Sequence, residues 1–181
     1  MSPWFGKKDP PTPLPSVPAA KPVAGRTKAV KVSSLLTQDT ILLAPPGMDK
    51  NRLLESLVAK LCAVKGYPSS KPFLEKVMER EQGISTTLDT GLSLPHARMD
   101  DLPSLSAALA VVAHGIADPK QQELTIRVMF LFFSPNKPEA FPLHLQLLRC
   151  VSSLFQPAFI DQLCRATSPA AVMELVRKVE G

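Results

Sequence analysis

Apolar residues recur at helical spacing through Leu53, Leu54, Leu57, Val58, Leu61 and Cys62, which predicts an amphipathic helix. Asp49 is placed to cap its start and Gly66 to stop it. Ahead of it, Ser33 to Leu36 reads as a short helical turn. Thr40-Ile41-Leu42-Leu43-Ala44 reads as a first strand, closed by Pro45-Pro46-Gly47. A second helix starts at Ser69 or Ser70 and carries Pro72 in its first turn. It sets Phe73, Leu74, Val77 and Met78 on one face and ends near Arg80. Two nearly continuous apolar runs follow, Leu105 to Ala113 and Ile126 to Phe133. Both have the length and make-up of strands covered on both faces. Gly115, Asp118 and Pro119 break between them, and Ser134-Pro135 ends the second. Leu143, Leu147, Val151, Leu154 and Phe155 mark a long amphipathic helix, and Pro157 opens a shorter one with Phe159, Ile160 and Leu163. Ser168-Pro169 is a cap and first-turn proline for a last helix, with Val172, Met173, Val176 and Val179 inward. Strands alternating with helices predict a layered α/β domain without internal repeats.

Composition changes this picture mainly at the N-terminus. Residues 1–32 hold seven prolines and six basic residues against Asp9 alone. Proline at that density removes donors and prevents helix propagation, so the segment reads as an extended, polyproline-like or disordered tail or linker. Trp4 and Phe5 beside Lys7 and Lys8 offer a docking peptide as the alternative. Residues 33–181 form one domain with 15 basic and 15 acidic residues. The net charge of +5 therefore belongs to the tail, and the domain has no bias towards nucleic acid. Cys62, Cys150 and Cys164 have no metal-like spacing and read as reduced thiols. No apolar stretch reaches 18 residues and no signal-peptide core is present, which predicts a cytoplasmic protein without membrane insertion.

The chemistry gathers in residues 79–98, Glu-Arg-Glu-Gln-Gly-Ile-Ser-Thr-Thr-Leu-Asp-Thr-Gly-Leu-Ser-Leu-Pro-His-Ala-Arg. Small, hydroxylated and glycine residues separate Arg80 from His96, so the stretch reads as an ordered loop rather than a helix or buried strand. Arginine supplies fixed charge and a forked donor set suited to phosphate. Histidine supplies a nitrogen that is nucleophilic when neutral. Taken singly, Arg80 reads as a cation at a helix end and His96 as a surface histidine. Jointly, they are what a phosphoryl acceptor needs.

This stretch resembles the signature of the IIA component of the phosphoenolpyruvate:sugar phosphotransferase system, in its mannitol/fructose/nitrogen-regulatory branch. Arg80, Glu81, Ser85, Thr86, Gly91, Pro95 and His96 match that signature; Asp89, Ser93 and Ala97 depart from it. The resemblance runs from about Ser33 to the C-terminus and implies a mixed, largely parallel sheet between helices. It also covers Phe141-Pro142-Leu143-His144-Leu145-Gln146-Leu147-Leu148, where the family's second site histidine falls on His144. Without the resemblance, His144 reads as a solvent-face histidine of an amphipathic helix. His114 matches no site position and reads as a surface turn residue. The resemblance implies a phosphotransferase with His96 as acceptor, Arg80 stabilising the group and His144 orienting it by a hydrogen bond. Ser85 and Thr86 either contact oxygen or cap loop backbone. No cofactor or metal is implied. The implied donor is the histidine phosphocarrier protein, and the acceptor is a IIB domain or a regulatory target. Asp89 opposes phosphate if it points inward. Three readings stand: a nitrogen-regulatory type, which the stand-alone domain favours, a fructose/mannitol-type uptake component, and a non-catalytic binding module.

Overall fold

In the computed structural model, residues 30–181 are described; the readings that concern residues 1–29, Trp4 and Phe5 included, lie outside them. Val32–Ser34 and Gln38–Thr40 make short 3-10 turns that lead into strand β1, Ile41–Leu43. The chain is fastened to its other end here, because the Glu180 carboxylate accepts from the backbone N–H groups of Val32 and Ser33 at 2.6 and 2.8 Å. Helix α1, Lys50–Lys65, begins where the Asp49 carboxylate accepts from the Arg52 N–H at 2.9 Å. It ends at Gly66, whose φ of 70° is the left-handed conformation that glycine adopts without penalty. Helix α2, Lys71–Gln82, buries Phe73 and Val77 and carries Pro72 in its first turn. It runs two residues beyond the end expected at Arg80.

Strands β2, Leu92–Ser93, and β3, His96–Met99, follow, then β4, Ser106–Ala117, and β5, Thr125–Pro135. Helices α3, Phe141–Leu154, α4, Pro157–Leu163, and α5, Pro169–Glu180, complete the chain. The Ser168 hydroxyl caps α5, accepting from the Ala171 N–H at 3.2 Å. The sheet is mixed: β1 lies parallel to β4, β4 antiparallel to β5, and β2 and β3 lie end to end, both parallel to β5 along its outer edge. Three of the four pairings are parallel, as the sequence reading expects.

The two apolar runs are continuous because both faces of β4 and β5 are covered. Ala107, Leu109 and Val111 join Val128, Phe130 and Phe132 under α3, α4 and α5. Ala108, Ala110 and Val112 join Met129, Leu131 and Phe133 under α1 and α2. Alternate residues along each strand thus supply two separate cores, and the result is a three-layer sandwich.

Three expectations are corrected. Gly115 does not end a strand: it lies inside β4 with φ of 72°, at an irregularity in the pairing between Val111 and Ile116. A Cβ there would come within 2.6 Å of the Thr125 methyl, so glycine is what lets the two strands stay paired across the bulge. His114 is consequently an exposed strand residue rather than a turn residue. Leu143 and Val179, expected inward, are 36% and 50% exposed: the buried stripe of α3 runs through His144, Leu147 and Val151 instead, and Val179 lies in the last turn of α5.

Candidate functional site

The stretch between Arg80 and His96 is less of a loop than its composition suggests. Leu92, Ser93, Leu94 and Pro95 are buried, and β2 and β3 pair with β5. Strands of two and four residues are too short for alternation to show in sequence, and only the partner strand reveals them. The pairing fixes His96 beside Phe132, and the two rings stack at 5.2 Å with an interplanar angle of 11°. This places the imidazole on the sheet face that α3 covers. There His144, in the first turn of α3, meets it edge-on at 5.4 Å.

His144 is 5% exposed, so the inward stripe of α3 runs through His144, Leu147 and Val151 rather than starting at Leu143. The solvent-face reading of this histidine is therefore overturned by its packing against the sheet edge. Arg80, in the last turn of α2, approaches from the other side and is held by an Nη1 hydrogen bond to the Ile84 carbonyl at 3.3 Å. His96, His144 and Arg80 line one cleft of about 550 Å³. Arg98, Asn136 and Lys76 line it as well. Sequence reading passed over these three, although Arg98 follows His96 by two residues and Lys76 precedes Arg80 by one helical turn.

The tautomer of His96 follows from its partner. Its Nδ1 lies 2.8 Å from the Leu94 carbonyl, which can only accept, so Nδ1 carries the proton. In the neutral ring, Nε2 then holds a free lone pair. Burial lowers the His96 pKa; the Leu94 bond raises it, the Arg80 charge lowers it and the Glu81 charge raises it, with a net fall. The His144 Nδ1 lies 2.7 Å from the Ser134 hydroxyl, itself fully buried. Burial first, then the charges of His96 and Arg98, push the His144 pKa down to about 4. Both rings are thus favoured in their neutral forms at neutral pH.

A pH dependence follows. Between its ordinary value near 6.5 and about 4, the unfolded chain binds a proton at His144 that the folded chain refuses. Stability from this group is complete above pH 6.5 and is lost as the pH falls towards 4. Thermal unfolding midpoints should drop over that window in the wild-type protein and drop less in His144→Gln. Parallel curves would show that His144 contributes nothing to the pH dependence.

Ser85 and Thr86 do not line the cleft. The Thr86 hydroxyl donates to the Glu81 carboxylate at 2.6 Å, and the Ser85 hydroxyl donates to Asp118 at 2.7 Å. Of the two alternatives left open for them, loop shaping is the one their hydrogen bonds serve. Asp118 is fully buried and also accepts from Thr87 and from Lys50, at 2.5 and 2.9 Å. Burial opposes its charge, but the bonds from Thr87, Ser85 and Lys50 hold its carboxyl well below the usual carboxylate range. Lys50 also sits 2.9 Å from Glu81, the neighbour of Arg80. The Lys120 ammonium bonds the carbonyls of Glu81 and Gly83. This network anchors the segment that leaves α2. Asp89 is exposed and outside the cleft, so it does not oppose an anion there.

Among the described residues, no three His, Cys, Asp or Glu side chains gather closely enough to hold a metal ion, and no helix is long and apolar enough to cross a membrane. What the cleft offers is an imidazole with a free nitrogen, a neutral second imidazole and guanidinium donors, a set suited to receiving a phosphoryl group.

Comparison with known proteins bears on that chemistry. Residues 34–179 match the family described as "Phosphoenolpyruvate-dependent sugar phosphotransferase system, EIIA 2". The nitrogen regulatory protein of Pseudomonas aeruginosa is 23% identical over 152 residues, 83% of this chain and 97% of its own length. The 2-O-alpha-mannosyl-D-glycerate-specific EIIABC component of Escherichia coli is 26% identical over 129 residues, 68% of this chain; this chain spans only 19% of that protein. The crystal structure of the nitrogen regulatory protein IIA-Ntr from Neisseria meningitidis superposes with a TM-score of 0.69 at 21% identity, covering 80% of this chain and 98% of that one, so the fold is shared. A match over nearly all of the described residues, on a fold of the same kind, places the chain in the EIIA 2 family of the phosphoenolpyruvate-dependent sugar phosphotransferase system.

Proposed function

We propose that this protein is a phosphocarrier of nitrogen-regulatory type, which accepts a phosphoryl group on His96 from the histidine phosphocarrier protein and acts through its phosphorylation state. The observation that carries the reading is that Arg80, His96 and His144, far apart in sequence, line one cleft. The donor's N–P bond breaks and its electron pair stays on the donor imidazole. The Nε2 lone pair of His96 forms the new N–P bond, and the proton stays on Nδ1, donated in a hydrogen bond to the Leu94 carbonyl. With the Ser134 hydroxyl as donor to His144 Nδ1, the His144 Nε2–H is free to donate to a phosphoryl oxygen. Arg80 supplies positive charge and fork geometry. Such a transfer needs positioning and charge neutralisation more than covalent help. Arg80 alone only partly offsets the roughly −1.5 to −2 charge of a bound phosphoryl group.

The test is incubation with phosphoenolpyruvate, enzyme I and the histidine phosphocarrier protein, which should leave an acid-labile label on the protein. Arg80→Ala should fold normally and take up label about 10- to 100-fold more slowly, the loss of one charge-assisted contact. Unchanged uptake would remove Arg80 from the site.

The relative with sugar specificity favours a second reading, in which the group passes to a IIB cysteine during uptake. In that step the cysteine thiolate attacks phosphorus and the electron pair returns to His96 Nε2. Rapid transfer of label to a purified IIB domain encoded nearby would favour uptake; retention of label favours the regulatory reading.

A further inference from the structure

We infer that Arg98 is a second guanidinium for the phosphoryl group, leaving its resting contacts to hydrogen-bond the oxygens of the group carried on His96. The inference rests on the reading of His96 as the acceptor and adds a residue to it. Along β3, residues two apart point to the same side, so His96 and Arg98 share a face while Ala97 packs into the opposite core. In register, Arg98 lies beside Ser134, the residue whose hydroxyl holds His144. The guanidinium carbon sits 5.1 Å from the centre of the Phe141 ring. Phe141 stacks with His144 at 6.2 Å, and His144 meets His96. Arg98 therefore waits at the far end of a short row of rings that leads to the acceptor, and it lines the same cleft.

Its resting contacts are few. Nη2 donates to the Lys137 carbonyl at 3.1 Å, and Nε is buried with no acceptor among the described residues. No carboxylate among the described residues pairs with it, whereas Lys76, another cation of the cleft, sits 2.9 Å from Glu79. A guanidinium has five donors, and most of these remain for an incoming anion. The charge balance asks for it too. The group brings more negative charge than Arg80 offsets, and His144, neutral at neutral pH, adds none. A buried donor without a partner and a cation without a counter-ion, both at the mouth of an anion-accepting cleft, are what a phosphoryl-binding arginine leaves behind when the group is absent.

The test uses the full chain and phosphoramidate, a small donor that needs no protein docking; its P–N bond breaks and ammonia leaves as the group moves to His96. Arg98→Gln should accept the group about 10- to 100-fold more slowly than wild type, and Arg98→Lys should recover part of the rate. In the wild-type protein, the Arg98 Nε–H resonance, assigned by its loss in Arg98→Lys, should shift on phosphorylation. Uptake by Arg98→Gln at the wild-type rate, or an Arg98 resonance that stays in place, overturns the inference; the resonance decides even if Arg98→Gln does not fold. A wild-type protein that takes no group at His96 instead overturns the acceptor reading itself.

Discussion

His96→Ala is expected to abolish phosphoryl uptake, while His114→Ala leaves it at the wild-type rate. The reason is chemical rather than steric. Only His96 combines a place in the cleft with a ring nitrogen whose lone pair is left free by the Nδ1 bond to Leu94. His114 is exposed on β4 and lies outside the cleft. His144 lines the cleft, but it is buried and tied through Nδ1 to Ser134. The alanine variant keeps its fold, because His96 is only half-buried and its stacking on Phe132 is a small part of a core that Phe130, Phe132 and Phe155 dominate. Label from phosphoenolpyruvate through enzyme I and the phosphocarrier should be absent from His96→Ala and present in His114→Ala. Label that persisted in His96→Ala would mean that another residue takes the group.

The largest expected effect on stability comes from Lys50→Met. The Lys50 ammonium lies 2.9 Å from both Glu81 and Asp118, and the three side chains are 6%, 8% and 0% exposed. Methionine fills similar space but leaves two carboxylates buried without their cation. Breaking a buried pair by removing one partner costs about 3–5 kcal/mol, mostly because the remaining charge is uncompensated. For a domain of this size that lowers the thermal midpoint by roughly 10–15 °C. Adding Asp118→Asn to Lys50→Met removes one stranded charge and should return part of the loss. The same network holds Ser85, Thr86 and Thr87, so the weakened protein should also transfer the group more slowly, through a less fixed Arg80. Urea and thermal unfolding measure the first effect; a loss under 1 kcal/mol would show that the three charges are not mutually dependent.

The helices could be read directly because their signals are local. Asp49, Gly66 and Ser168-Pro169 mark ends by chemistry that acts within one turn, and each falls at a helix boundary. The two core strands were legible because runs covered on both faces are continuously apolar. Strands β2 and β3 were not, because their pairing with β5 is a long-range fact that two- and four-residue strands do not record. Gly115 looked like a break because a bulge and a turn ask for the same residue. Arg80, His96 and His144, which share the cleft, were singled out through a motif; physical reading of each residue alone would have left them as surface chemistry. Arg98 needed β3 to be known first, since only a strand makes residues 96 and 98 neighbours on one face. The Lys50–Glu81–Asp118 cluster carried no signal at all, as its members come from α1, α2 and the end of β4 with no pattern to join them.

The proposed transfer chemistry turns on which atom receives phosphorus. Protein labelled with nitrogen-15 in its histidines and phosphorylated through the phosphocarrier should show one-bond nitrogen–phosphorus coupling at Nε2 of His96, with the Nδ1 proton retained. Coupling at Nδ1 of His96, or at either nitrogen of His144 or His114, would contradict it.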